Sequence, residues 1–126
     1  MKDLTKAEEQ VMQILWKCEK GFVSDLLEHF PEPKPAYNTV STIVRILEKK
    51  GFIDHEPAGK SYLYFPVVSK SDYSRHSLRQ LVSGYFSNSY KQMVSFFSES
   101  ENLSVKELED LKSMIDNEIQ NKKGNE

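Results

Sequence analysis

Apolar positions recur at helical spacing along most of the chain, with one stretch of strand-like character. Val11, Ile14, Leu15 and Cys18 lie three and four residues apart, with Met12 and Trp16 flanking them, so they line one face of a helix. Its start is marked by Leu4-Thr5-Lys6-Ala7-Glu8, where Thr5 can cap and Glu8 can reach back to complete a capping box. Gly21 is expected to end it. A second, shorter helix is predicted from Ser24, carrying Leu26, Leu27 and Phe30. The run Pro31-Glu32-Pro33-Lys34-Pro35 stops it, because proline removes a donor and restricts the residue before it.

The third helix is predicted from about Ala36 to Lys50, with Val40, Ile43, Val44 and Leu47 as its core stripe. Asn38, Ser41, Thr42, Arg45 and Lys49 fall on the opposite side, and Gly51 is a natural C-terminal stop. Phe52–Glu56 and Ser61–Phe65 then read as a hairpin around Pro57-Ala58-Gly59-Lys60. Three helices followed by a hairpin is the arrangement of a winged helix-turn-helix.

Past Val68 the pattern is helical again. Ser69-Lys70-Ser71-Asp72 reads as a capped start, and Leu78, Leu81, Val82, Tyr85 and Phe86 follow at helical intervals. Ser87-Asn88-Ser89 interrupts, and Met93, Val94, Phe96 and Phe97 form a short apolar block. Leu103-Ser104-Val105-Lys106-Glu107 is the clearest capping box in the chain, and Leu108, Leu111, Ile115 and Ile119 run along the helix it opens. The predicted fold class is mainly α with a small antiparallel hairpin: a winged-helix DNA-binding domain over residues 1–68 and a helical dimerisation region over 69–126. These C-terminal helices are too short to enclose Phe86, Phe96, Phe97, Leu108, Leu111, Ile115 and Ile119 by themselves. Those residues are therefore expected to form a homodimer interface, two-fold dimers being the commonest way to cover such a face.

Charge sharpens this picture. The chain of 126 residues carries 17 Lys+Arg against 19 Asp+Glu, which alone argues weakly against a nucleic-acid partner. The distribution reverses the argument. Residues 1–32 hold four lysines and seven acids, whereas residues 34–50 hold Lys34, Arg45, Lys49 and Lys50 against Glu48, a net of +3. The positive charge sits on the predicted recognition helix.

On an ordinary helix Asn38, Thr39, Ser41, Thr42 and Arg45 would be a solvated face. Beside a wing they suit duplex DNA: arginine pairs with guanine, asparagine with adenine, and threonine methyls meet thymine methyls. Hydroxyls and helix N-terminal amides hold phosphate without reading sequence. Lys60, with Gly59 and Tyr62 at the wing tip, is placed for a phosphate or the minor groove. Lys49 and Lys50 either contact phosphate or complement the negative end of their helix. Trp16, Tyr37 and Tyr64 are expected to be core or core-edge aromatics.

Other chemistry finds little support. His29, His55 and His76 show no ligand spacing with Cys18 or one another, so no metal site is expected. Cys18, the only cysteine, suits a reducing compartment and a buried role. No phosphate-binding glycine loop and no nucleophile–base spacing appears, so neither an enzyme nor a cofactor is expected. The N-terminus has no apolar signal region and no run spans a membrane, so a cytoplasmic location is expected. A winged-helix module that binds protein through the same face, without specific DNA binding, remains open.

Several segments resemble the penicillinase repressor family. They are Leu4 to Trp16, Tyr37-Asn-Thr-Val-Ser-Thr-Ile-Val-Arg-Ile-Leu-Glu-Lys-Lys-Gly51, the wing exit Tyr64 to Ser69, and Leu103-Ser104 with Glu107. They occur in one register over nearly the whole chain. The resemblance implies a cytoplasmic bacterial repressor that dimerises through its C-terminal helices and binds palindromic operators. It also implies a further partner, a sensor or protease that inactivates it: β-lactam-responsive members are cleaved near the start of the last helix after a membrane sensor signals. The cleaved Asn-Phe bond would align near Phe96-Phe97, where this chain lacks the asparagine. Copper-responsive members carry paired C-terminal cysteines, and the C-terminal half of this chain has none.

Overall fold

A computed structural model of the protein describes residues 1–125. The elements run α1 (Lys6–Cys18), α2 (Val23–Glu28), α3 (Tyr37–Lys49), β1 (Ile53–Ala58), β2 (Ser61–Pro66), α4 (Lys70–Phe86), α5 (Tyr90–Ser100) and α6 (Val105–Gly124). This is the mainly helical architecture with one antiparallel hairpin that the apolar periodicity predicts.

α1 opens as expected. Thr5 accepts the Glu8 amide while the Glu8 carboxylate accepts the Thr5 amide, so two otherwise unpaired donors are satisfied reciprocally. Its end differs from expectation. Glu19, with a positive φ of 71°, and not Gly21, is the C-terminal cap, its N–H donating to the Leu15 carbonyl. Gly21 instead exchanges two 2.9 Å backbone hydrogen bonds with Tyr64 of β2. A Cβ there would lie 3.1 Å from Leu26 Cδ2, so close approach explains the glycine. α2 likewise begins before Ser24: Phe22 is the N-cap, and its amide donates to the Asp25 carboxylate.

Gly51, at φ 84°, ends α3 in the left-handed conformation that glycine adopts without penalty, and Phe52 N–H returns to the Leu47 carbonyl. The hairpin pairs Ile53 with Pro66 through Ala58 with Ser61. Pro57 and Ala58 therefore belong to β1, and the turn shrinks from the expected four residues to Gly59-Lys60. Gly59 at φ 66° supplies the left-handed first position of a tight hairpin turn.

Packing divides the chain into two compact units, Met1–Ser77 and a second beginning at Leu78. The change in character past Val68 marks a change of secondary structure, whereas the packing divides within α4. In the first unit Val11, Met12 and Leu15 of α1, Leu26 of α2, and Val40, Val44 and Leu47 of α3 are fully buried. Ile43, expected in the α3 stripe, is half-buried at the edge of this core. Phe52, Ile53 and Tyr64 close it from the hairpin side. The start of α4, where Ser69 Oγ accepts the Asp72 amide, adds Tyr73, whose hydroxyl accepts the Leu4 amide. Trp16 is half-buried and its indole donates to the Val68 carbonyl, a core-edge position as expected.

In the second unit, α4 and α5 are separated by Ser87 and Asn88, both with positive φ, and Ser89 caps α5. Ser104 and Glu107 form the expected capping box of α6. Neither α5 nor α6 buries a single residue. Phe96, Leu108, Ile115 and Ile119 are exposed, and Phe86, Phe97 and Leu111 are half-buried. Glu126, the last residue of the expected 69–126 region, lies outside the described residues.

Candidate nucleic-acid interface

The buried stripe of α3 fixes what its other side shows. With Val40, Val44 and Leu47 held in the core, Asn38, Thr39, Thr42, Arg45 and Lys49 are exposed and Ser41 is half-exposed. The hairpin brings β2 alongside. Between them lies a concave groove of about 490 Å³ lined by Tyr37, Asn38, Ser41 and Arg45 of α3 and by Ala58, Lys60, Ser61, Tyr62 and Tyr64 of the hairpin. Five of the eight expected contact residues, Asn38, Ser41, Arg45, Lys60 and Tyr62, thus meet in one cavity. Thr39, Thr42 and Lys49 lie on the exposed helix surface outside it.

Local hydrogen bonds organise this surface. Ser41 Oγ accepts from the Arg45 guanidinium at 3.2 Å one helical turn away, which holds the arginine along the helix. The Thr42 hydroxyl donates to the Asn38 carbonyl at 2.9 Å, so its donor is committed to the helix and its methyl is left for apolar contact. Among the described residues no acidic one lines the groove, and Arg45 and Lys60 bring positive charge from opposite walls. Tyr62 is exposed, with its ring 4.4 Å from that of His55.

Two residues assigned other roles by the sequence also line the groove. Tyr37, expected at the core edge, is 53% exposed, because the first turn of α3 projects beyond the core. Ser24, read as a helix start, faces the groove from α2. Tyr64 is buried as expected, and burial raises its phenol pKa, with the nearby Glu48 charge adding to the effect.

Lys50 separates from its neighbours. Its ammonium donates to both oxygens of Glu8, at 2.7 and 3.0 Å, and so joins the end of α3 to the start of α1. Burial by itself would raise the Glu8 pKa, but the Lys50 ion pair and the Thr5 hydrogen bonds outweigh it and hold the carboxylate below its ordinary 4.5. Lys50 is a structural cation.

His55 also has company that histidine–cysteine spacing does not reveal. Its ring hydrogen-bonds Glu48 of α3, and its backbone N–H donates to Asp54 Oδ1 at 2.7 Å. The ligand atoms of Glu48, Asp54 and His55 all lie within 4.8 Å of one another.

The sequence profile of the penicillinase repressor family matches residues 4–117. The chain belongs to the penicillinase repressor family. It is thereby a regulator of the repressor type and not an enzyme. Among its relatives, the methicillin resistance regulatory protein MecI of Staphylococcus aureus is 27% identical over 114 residues, covering 90% of this chain and 93% of that protein. The penicillinase repressor of Bacillus licheniformis is 24% identical over 121 residues, covering 95% and 94%. A solution structure of the DNA binding domain of the repressor BlaI matches with a TM-score of 0.50 at 27% identity, covering 58% of this chain and 94% of that one. A crystal structure of a mutant of Escherichia coli MarR shares the fold, with a TM-score of 0.51 at 14% identity over 93% of this chain and 79% of that one. No helix among the described residues is long and apolar enough to cross a membrane.

Proposed function

We propose that this penicillinase repressor family member is a DNA-binding repressor that occupies a palindromic operator in a bacterial promoter as a homodimer. The observation that carries the reading is the acid-free groove in which Asn38, Ser41 and Arg45 of α3 face Lys60 and Tyr62 of the wing. An α-helix of this kind fits the major groove of duplex DNA, and a hairpin tip beside it reaches the flanking backbone. The similarity to a structure described as the DNA binding domain of a repressor supports the same ligand here.

In this reading Arg45 and Asn38 face base edges, Thr39 and Thr42 offer methyls or hydroxyls, and Ser41 orients Arg45. Lys49 and Lys60 neutralise phosphates, and Tyr62 supports the wing tip. Residues 1–68 carry the DNA contact and 69–126 the dimerisation. The uncovered apolar residues of α5 and α6 support a second copy as their cover. Phe96 is 59% exposed, and α6, twenty residues long, has no fully buried residue. Operation in the cytoplasm, and release by a sensor or protease, belong to the same proposal.

Nuclease footprinting of the purified protein on its own upstream intergenic DNA tests it. The expected result is two protected half-sites related by two-fold symmetry and centred about one helical turn, or a multiple, apart. No protection at any concentration that protects nothing else would overturn the operator reading and favour a protein-binding module.

A further inference from the structure

The root of the wing holds a cluster that the DNA-binding reading does not use. Glu48 stands in the last turn of α3, and Asp54 and His55 stand at the start of β1, so two elements separated by Lys50, Gly51 and Phe52 converge there. One imidazole nitrogen and two carboxylate oxygens lie within 4.8 Å of one another. Among the described residues no lysine or arginine forms a salt bridge with Glu48 or Asp54, whereas Lys50 pairs with Glu8 and Lys20 with Glu56.

The site is also ordered before any ligand arrives. The His55 ring lies 4.4 Å from that of Tyr62 and 5.8 Å from that of Tyr64. Its Nδ1 already points at Glu48, and its own backbone N–H fixes one oxygen of Asp54. Glu48 and His55 are both largely shielded by the fold, with side chains 28% and 34% exposed.

We infer that Glu48, Asp54 and His55 form a binding site for a borderline divalent cation such as Zn²⁺, joining the end of the recognition helix to the wing. One nitrogen and two oxygen donors suit such an ion, and three protein ligands leave a further position for water. Zinc bonds of about 2.0–2.2 Å place ligand atoms about 3–3.5 Å apart, so an ion entering this cluster would part His55 from Glu48 and draw Asp54 in. The ion takes the place of the hydrogen bond between His55 Nδ1 and Glu48, and the neutral imidazole carries its one proton on Nε2. Two carboxylates and a neutral imidazole then hold the dication with no net charge. The inference concerns metal binding alone and stands independently of the DNA target.

Isothermal titration of Zn²⁺ into the full chain at neutral pH tests it, alongside His55→Gln, Asp54→Asn and Cys18→Ser. The expected result is one saturable ion per chain, with affinity lowered at least about tenfold by His55→Gln and by Asp54→Asn. Cys18→Ser should leave affinity unchanged, because the other metal-binding candidate, Cys18 with His29 at 3.6 Å, lies on α1 and at the end of α2. Co²⁺ should bind without a thiolate-to-metal charge-transfer band. No saturable binding, affinity retained in the two ligand variants, or affinity lost in Cys18→Ser would each overturn the assignment. Asp54 is exposed, so its variant keeps the comparison valid even if His55→Gln fails to fold.

Discussion

The cations of α3 and the wing divide according to what already holds them. Arg45 hydrogen-bonds Ser41 of its own helix and forms no salt bridge among the described residues, and Lys60 stands exposed at a turn, so both are available to a ligand. We expect Arg45→Ala to weaken specific operator binding by about 1–3 kcal/mol, read by competition against scrambled duplex. Unchanged affinity would remove Arg45 from the base-reading set. Lys60→Ala should weaken binding to all sequences alike and reduce the slope of log affinity against log salt by about one unit. A change of base preference with an unaltered slope would contradict its phosphate role.

Lys50 behaves differently because its partner is buried. Removing one member of a buried pair costs about 3–5 kcal/mol, but Lys50 is itself 22% exposed, so Lys50→Met should cost nearer to about 2 kcal/mol of folding stability. The Glu8 pKa is lowered in the folded state, so this contribution is complete above the ordinary carboxylate value and is lost as pH falls through the folded one. Denaturation between neutral pH and pH 3 should show wild type losing its advantage over Lys50→Met in acid; a constant difference would refute the linkage. The sequence could not show this pair. Forty-two positions separate Glu8 from Lys50, and Glu8 is fully accounted for locally by its capping box with Thr5.

At the scale of elements, what local rules govern was readable and what tertiary contact governs was not. Thr5-Glu8 and Ser104-Glu107 cap their helices as their spacing predicts, since a capping box closes within one turn. Ser104→Ala should cost about 1 kcal/mol and lower helicity measured by circular dichroism. An unchanged signal and melting temperature would mean that α6 does not depend on its cap. Gly21 misleads because its task is close approach to Leu26 and pairing with Tyr64, which lies 43 positions away. Pro57 looks like turn material, yet a two-stranded hairpin has open edges where its missing N–H is tolerated. Tyr37 reads as core by hydrophobicity, and only the placement of the first turn of α3 exposes it to the groove. The Asn38–Lys49 face was legible because a 3.6-residue period separates it from Val40, Val44 and Leu47.

At the scale of the whole molecule, the two units pose different physical problems. The first encloses its own core of α1, α2, α3 and the hairpin. The second leaves Tyr85 80% exposed and Ile115 and Ile119 nearly half exposed, and exposed apolar side chains gathered on one unit point to an interaction surface. If a second copy covers it, Ile115→Glu should convert a dimer into a monomer in sedimentation experiments and weaken operator binding severely, while leaving the winged-helix unit folded. A wild-type monomer at micromolar concentration would contradict the dimer proposal.

In the proposed function, the groove between α3 and the wing binds a specific DNA sequence. Fluorescence anisotropy with the protein's own upstream DNA and a scrambled duplex, at two salt concentrations, tests it most directly. Binding should be tight, prefer the native fragment and fall steeply as salt rises, because Arg45, Lys49 and Lys60 displace counterions. Equal and weak binding to both duplexes, insensitive to salt, would contradict it.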